Sequence, residues 1–221
     1  MSESAWATTP PTESVAMLKK QIAGYVLMPT DPEVLETAEA GIRRAIDRLN
    51  TRTWGWSLTY DDIDFLADTP DYGLSSQFKS PRHLELWNSD GRCVGSLGFK
   101  EWKTFLMEHQ NRVGSSQPCI YSCSNVHDVG LMSLDVYPTA EWVATYPAAR
   151  IWYFRRTAYP GSDGAPVNVP SEVAAFIQSE AEGYTADRYA VLKAQPAYQR
   201  AERFLHELVV DDRHGGSTDW E

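Results

Sequence analysis

The chain has 221 residues, 43% hydrophobic and 12% aromatic, enough apolar mass for a core without disulfide or metal staples, and this excludes wholesale disorder. Thirty acidic residues against twenty basic ones leave a formal charge of −10, a sign that repels phosphate and disfavours sequence-specific DNA binding. The longest apolar runs, such as 24–29 and 151–154, fall far short of the ~18 residues of a bilayer span. The opening Met1-Ser2-Glu3-Ser4 carries an acid and no basic or apolar stretch, so export by a signal peptide is not expected. Three cysteines (Cys93, Cys119, Cys123) are too few and too odd for a disulfide framework and suit a reducing cytosol.

Residues 1–14 contain Thr9-Pro10-Pro11-Thr12 and no apolar periodicity, so they read as a flexible N-terminal arm with Trp6 as its one sticky side chain. Val15, Leu18, Ile22 and Tyr25 then recur at helical spacing, predicting a short helix that frays near Gly24 and is over by Pro29. Thr30 and Glu33 have capping-box spacing, and Asp31-Pro32 offers a competing cap with proline first in the helix. Either cap starts a helix over 31–50, with Leu35, Ala38, Ile42, Ala45, Ile46 and Leu49 on one face. Glu33, Glu36 and Glu39 fill its first turns and Arg43, Arg44 and Arg48 its last, complementing the macrodipole.

From Thr53 to Pro160 the texture changes: 18 of the 26 aromatic residues fall here, in short alternating runs between turn signals, the signature of a β-rich region. Residues 83–87 alternate with Leu84 and Leu86 inward, turn at 88–91 and return through 92–94 as a hairpin. Phe99, Trp102, Phe105 and Leu106 predict one helix of ~10 residues lying on the sheet. Further strands are expected at 120–124, 132–137 and 150–156, the last two joined by a connection too long for a tight hairpin. Pro170 and Ser171 open a helix carrying Val173, Phe176, Ile177, Tyr184, Arg188, Val191 and Leu192 on one stripe, which Pro196 should end or kink. Tyr198, Ala201, Phe204, Leu205 and Leu208 mark another amphipathic helix, followed by an acidic C-terminal tail, 211–221, expected to be mobile alone. The predicted class is α+β, with amphipathic helices at both ends (15–52 and 161–210) packing with a β-rich middle region, 53–160.

Negative charge concentrates in 161–221, with eleven acids and five bases, and in 53–78, where Asp61, Asp62, Asp64, Asp68 and Asp71 meet no base. Both read as solvated faces. Cys119, Cys123 and His127 have a metal-like composition, but on a strand rising ~3.3 Å per residue the two sulfurs lie roughly 13 Å apart, too far to share a zinc or a disulfide. Small buried residues on one strand face are expected instead. Asp61, Asp62 and Asp64 lack the Gly-x5-Glu completion of a calcium loop. The five histidines are scattered, and no nucleophile elbow, zinc pair or phosphate-cradling loop is recognisable, so neither an enzyme nor a cofactor is expected. The enzymatic alternative, a small cytosolic hydrolase, would need the Asp61 to Asp64 cluster to converge with His83 or His127. Arg155 and Arg156, flanked by Tyr153, Phe154 and Tyr159, have the composition of a protein-contact hot spot, with nucleic-acid stacking as the rival.

Taken in order, the helix ending in Arg-Leu-Asn-Thr (48–51), a strand start with Trp54 and Trp56, Phe65-Leu66-Ala67, Asp71-Tyr72-Gly73-Leu74, and the strand after Ser80-Pro81 form the first half of a series. Ser116-Gln117-Pro118-Cys119-Ile120-Tyr121, Leu134-Asp135-Val136-Tyr137-Pro138-Thr139, the strand at 151–156 and Val169-Pro170-Ser171-Glu172 complete it. Over roughly 31–192 this series resembles the head-to-tail connector adaptors, or neck proteins, of tailed bacteriophages. The resemblance implies a structural virion protein, assembled in the host bacterial cytoplasm and located in the neck, that forms a homo-oligomeric ring, typically a dodecamer, beneath the portal protein. It further implies that DNA passes non-specifically through the ring, that other neck or tail proteins attach to it, and that no membrane is involved. A stopper, terminator or baseplate component is the nearest alternative. A closed ring needs two unlike complementary faces, for which the helix at 31–50 and the strand at 150–159 are the candidates. Arg43, Arg44, Arg155, Arg156 and Tyr159 are the expected inter-subunit contacts, and Trp6, Asp211, Asp212 and Trp220 the expected portal-docking residues. Acid-rich patches are expected on the lumen.

Overall fold

The structure, a computed structural model, describes residues 14–215 except 110, 111, 113, 127, 128 and 168, and not the side chains of 126, 129 and 211–215. In chain order the elements are α1 (Val15–Tyr25), α2 (Pro32–Asn50), β1 (Leu58–Asp64), β2 (Asp71–Leu74), β3 (Phe78–Trp87), β4 (Cys93–Gly95), β5 (Gly98–Phe99) and α3 (Trp102–His109). There follow β6 (Ser115–Ser116), β7 (Ile120–Val126), β8 (Val129–Leu134), β9 (Tyr137–Pro138), α4 (Ala140–Thr145), β10 (Ala148–Arg155), α5 (Ser171–Tyr189) and α6 (Val191–Gly215). The class is α+β, with helices at both ends of the chain and the strands in its middle. By its internal contacts the chain divides into a helical unit, residues 1–56 with 157–221, and a β unit, residues 57–156.

In the helical unit the starts of α1 and α2 have a chemical cause. Ser14 caps α1 by accepting from the Met17 amide at 3.3 Å. Of the two caps competing for α2, Asp31 prevails: its carboxylate accepts from the Glu33 and Val34 amides at 2.9 and 3.2 Å, with Pro32 in the first helical position. The apolar faces of α1, α2, α5 and α6 share one core built on Ile22, Ile42, Leu49, Phe176 and Ile177. Small residues bring the backbones together. A Cβ on Gly41 would stand 3.0 Å from the Ala181 backbone and 3.1 Å from its methyl, so α2 and α5 approach closely there. Glu180 is 1% exposed in this packing, held by Arg48 at 2.8 Å and Arg44 at 3.7 Å.

Three expectations for this unit are corrected. The stripe from Val173 stops at Tyr189, because the helix breaks at Ala190 and leaves Val191 and Leu192 exposed. Of the two outcomes expected at Pro196, an end or a kink, the end is corrected: it lies inside α6, where its missing amide leaves the Leu192 carbonyl without a helical donor. The acidic tail, expected to begin at residue 211, starts within a helix, since α6 runs on to Gly215.

The β unit holds two four-stranded sheets, in the orders β1-β10-β3-β4 and β2-β8-β7-β5, and a two-stranded pair, β6-β9. Between the two larger sheets lies one apolar cluster, with Ile63, Leu84, Leu86, Ile151 and Tyr153 from the first meeting Tyr72, Tyr121, Met132 and Leu134 from the second. The predicted hairpin is β3 and β4, and the predicted helix is α3, although Phe99 belongs to β5 and not to the helix. Trp56 starts no strand; it lies in a 3-10 turn and the strand begins at Leu58. The strand expected at 132–137 spans Val129–Leu134, while Tyr137 and Pro138 pair separately with Ser115 and Ser116. The long connection after it contains α4, capped by Thr139 accepting from the Trp142 amide at 3.2 Å.

Candidate functional site

Pleating sorts the side chains of β1, β10 and β3 onto two faces. Ile63, Ile151, Leu84 and Leu86 go inward; Leu58, Tyr60, Asp62 and Asp64, Arg150, Trp152 and Phe154, and His83, Glu85 and Trp87 go to the outer face. The register aligns Tyr60, Trp152 and His83 in one row across three strands, and Asp62, Arg150 and Glu85 in the next. The rings of the first row touch: Tyr60 and Trp152 centroids are 5.0 Å apart, and His83 stacks on Trp152 at 5.9 Å with 13° between planes. Leu58 and Phe154 extend the row towards one end, with Leu58 and Tyr60 exposed. From strand spacing and rise, the surface measures about 10 by 20 Å.

Charge is graded along it. In the second row Arg150 makes a two-pronged ion pair with Asp62, at 2.7 and 3.1 Å, and lies 4.0 Å over the Tyr60 ring. That carboxylate raises the Arg150 pKa above its ordinary value. His83 bonds Glu85 at 3.2 Å. At the opposite end, where β3 begins and β10 finishes, lie Lys79, Arg82 and Arg156, while Arg155, paired with Phe78, is on the inward side of β10 with Tyr153. Burial first, and then the neighbouring Arg156, lower the Lys79 pKa. The indole N–H groups of Trp87 and Trp152 are shielded from solvent and find no acceptor among the described residues. A half-covered aromatic row with segregated charge is the composition of a protein-contact surface.

The predicted contact residues divide between the two units. Arg155 and Arg156 fall at the end of β10 in the β unit, Arg155 on its inward side opposite Phe78, whereas Arg43, Arg44 and Tyr159 belong to the helical unit. There Arg43 lies 3.7 Å over the Tyr159 ring and pairs with Glu39 at 2.8 Å, while Lys19 bridges Glu39 and Asp163 at 3.1 and 2.6 Å. Arg44 stands apart, beside Glu180 and 5.4 Å from the Tyr184 ring, on the wall of an open groove of about 570 Å³. Both arginines are therefore engaged within their own chain. Trp6 and Trp220 lie outside the described residues; Asp211 and Asp212 fall on the helical run of α6.

Asp61, Asp62 and Asp64 do not converge. Asp61 points inward and accepts from the Tyr153 hydroxyl and the Ser75 amide at 3.1 and 3.0 Å, whereas Asp62 and Asp64 stand exposed on the outer face. Asp62 and His83 share that face with Trp152 and Arg150 of the strand between them, and His127 lies outside the described residues. Cys119 precedes β7 and is exposed, so the expected buried pair on one strand face is corrected to Cys123 alone, whose thiol pKa burial pushes up. Among the described residues, no three His, Cys, Asp or Glu side chains are placed to hold a metal ion. No described helix is long and apolar enough to cross a membrane. Sequence reasoning singled out β10 but missed Tyr60, Asp62, His83 and Trp87 as its companions; the alternation of His83, Glu85 and Trp87 opposite Leu84 and Leu86 was the available signal. Compared with known proteins, the chain matches no family model and no curated protein.

Proposed function

We propose that this protein is a head-to-tail adaptor of a tailed bacteriophage: a non-enzymatic subunit that closes into a ring, typically of twelve copies, beneath the portal, extends the DNA channel and carries the next tail component. The observation that supports this reading best is the outer face of the first sheet, a continuous aromatic row with opposite charges at its two ends. Such a face suits a head-to-tail interface, in which a surface meets an unlike one on its neighbour. The other candidate face is the exposed side of α2. The resemblance in sequence order supplies the portal as partner and the virion neck as location.

Imaging the purified chain mixed with its cognate portal tests the proposal. The expected result is a closed ring of this protein seated on the portal with an open axial channel. A portal that remains bare at saturating protein, with the chain monomeric, would overturn it.

A further inference from the structure

Among the described residues, Leu192 at 95% and Leu27 at 79% are the most exposed large apolar side chains, and their neighbours Val191 and Met28 are exposed too. The four stand at one end of the helical unit, because a reciprocal clasp joins the end of α1 to the start of α6. The Lys193 ammonium donates to the Tyr25 carbonyl at 2.7 Å, and the Tyr25 hydroxyl donates to the Lys193 carbonyl at 3.0 Å. Leu27 is there against local preference. The Leu27 and Met28 amides close α1 on the Gly24 and Ala23 carbonyls at 2.9 and 3.0 Å, in a turn whose left-handed position glycine normally fills, and Leu27 takes that position at φ 66°. A strained, exposed leucine returns little to the packing of its own chain. By contrast, beyond its first turn the exposed positions of α2 are Glu36, Ala40, Arg43, Arg44 and Asp47, with no large apolar side chain.

We propose that this aliphatic tip is the second subunit contact, seated on the aromatic row of Tyr60, Trp152 and Phe154 in a neighbouring copy. This rests on the ring reading above and moves its second face from the side of α2 to the junction of α1 and α6. From their exposure the four residues offer roughly 500 Å² of surface, so pairing covers about 1,000 Å² in all, the lower limit for a specific contact. A ring subunit makes that contact twice, giving its tip to one neighbour and its row to the other. The row suits aliphatic groups, since Leu58 and Tyr60 on it are exposed and its rings are fixed by contact with one another. The Tyr25–Lys193 clasp holds the tip in shape before docking, so little freedom is lost on contact. Two tips facing each other would stop at a dimer, whereas tip on row leaves an unused tip and an unused row, and association runs on until the ring closes. A lipid surface fits the tip less well, since the exposed Asp31 and Glu33 follow Met28 closely and the whole chain carries −10.

Two full-length variants test it in analytical ultracentrifugation, L27G/L192D for the tip and L58K/Y60T for the row, each alone and in an equimolar mixture. L27G/L192D should melt no lower than the wild type, because glycine suits the left-handed turn and an acid suits the first turn of α6. L58K alone serves as the row variant if the pair melts lower. The wild type should form species larger than a dimer, and each variant should associate at least tenfold more weakly. The mixture should stop at a heterodimer, since each pair holds one intact tip and one intact row. A tip variant that melts lower, a row variant that dimerises by itself, or a wild type or mixture that stays monomeric would each overturn the assignment. So would phosphatidylcholine vesicles that pellet the wild type and leave L27G/L192D in solution. Portal imaging separates this from the wider reading. If L27G/L192D forms rings on the portal as the wild type does, the tip assignment fails and the adaptor reading stands; if the wild-type chain forms no ring there, the adaptor reading fails.

Discussion

Gly130 illustrates how much one position can be fixed by its surroundings. It stands at the start of β8 opposite Leu74, and a Cβ built on it would come within 2.7 Å of the Phe78 Cβ, 2.9 Å of the Leu74 Cβ and 2.9 Å of the Ser75 carbonyl oxygen. Two of these neighbours are fixed by the sandwich core and the third is backbone, so none can swing away. Gly130→Ala should therefore force the two sheets to shift locally and destabilise the protein by about 2 kcal/mol. Urea denaturation monitored by tryptophan fluorescence measures it, and a loss below about 0.5 kcal/mol would show that the strand yields. Arg150 shows the opposite case, a charge fixed by partners on every side. It is held by Asp62 and placed over the Tyr60 and Trp87 rings, so it organises the acidic end of the outer face more than it offers a free cation.

At the scale of elements, α2 depends on its first turn. Asp31 satisfies two amides that the helix itself leaves without partners. Asp31→Ala should cost about 1 kcal/mol and Asp31→Asn only a small part of that, read from thermal melts of the two variants against wild type. If both substitutions cost the same, the cap contributes through charge and not through hydrogen bonding. This start was legible in the sequence because a cap is local chemistry: Asp31-Pro32 carries its meaning in two residues. The same is true of the β3–β4 hairpin, whose alternation and turn lie in one stretch. β1 was not legible, because Leu58-Thr59-Tyr60-Asp61-Asp62-Ile63-Asp64 holds three acids and reads as a solvated run. It becomes an edge strand only through tertiary partners: Arg150 takes Asp62, and Tyr153 with Ser75 takes Asp61. Acids on an edge strand also discourage pairing with another sheet, which favours side-chain contact through the outer face over strand addition at β1. α4 was missed for a related reason. Its six residues follow Pro138, and the Thr139 cap and the burial of Trp142 against Phe65 help hold them helical. The break at Ala190 has no counterpart in the local sequence, where the proline six residues later is the more obvious signal. The aromatic row of the candidate site was half legible: β10 displayed its own residues, but the register that sets Tyr60 and His83 beside Trp152 is a long-range fact.

For the whole molecule, the two units differ in how they should respond to acid. In the helical unit the Glu39 carboxyl is held below its ordinary value, first by the hydrogen bond from Arg43 and then by that from Lys19. The same network joins α1, α2 and Asp163, and although burial lowers the Lys19 pKa, the bonds to Asp163 and Glu39 raise it overall. Because the folded pKa of Glu39 lies below the unfolded one, its contribution is fully present above about pH 5 and is lost as pH falls through 4.5 towards the folded value. Its partial exposure limits that contribution to about 1 kcal/mol or less. The carboxyls lowered in the β unit, Glu101 by the Lys103 and Thr104 amides and Glu108 by Lys100, sit on the solvent side of α3 and hold no strand in place. Hydrogen–deuterium exchange at pH 7 and pH 4, corrected for the intrinsic rate, should therefore show peptides from α1 and α2 losing protection before those from β3 and β10. Glu39→Gln should already have lost the pH-dependent part at pH 7 and show a smaller further drop at pH 4. If β3 and β10 open first, or if the wild type and Glu39→Gln lose protection by the same increment, the acid-sensitive contact is not the one that ties α1 to α2.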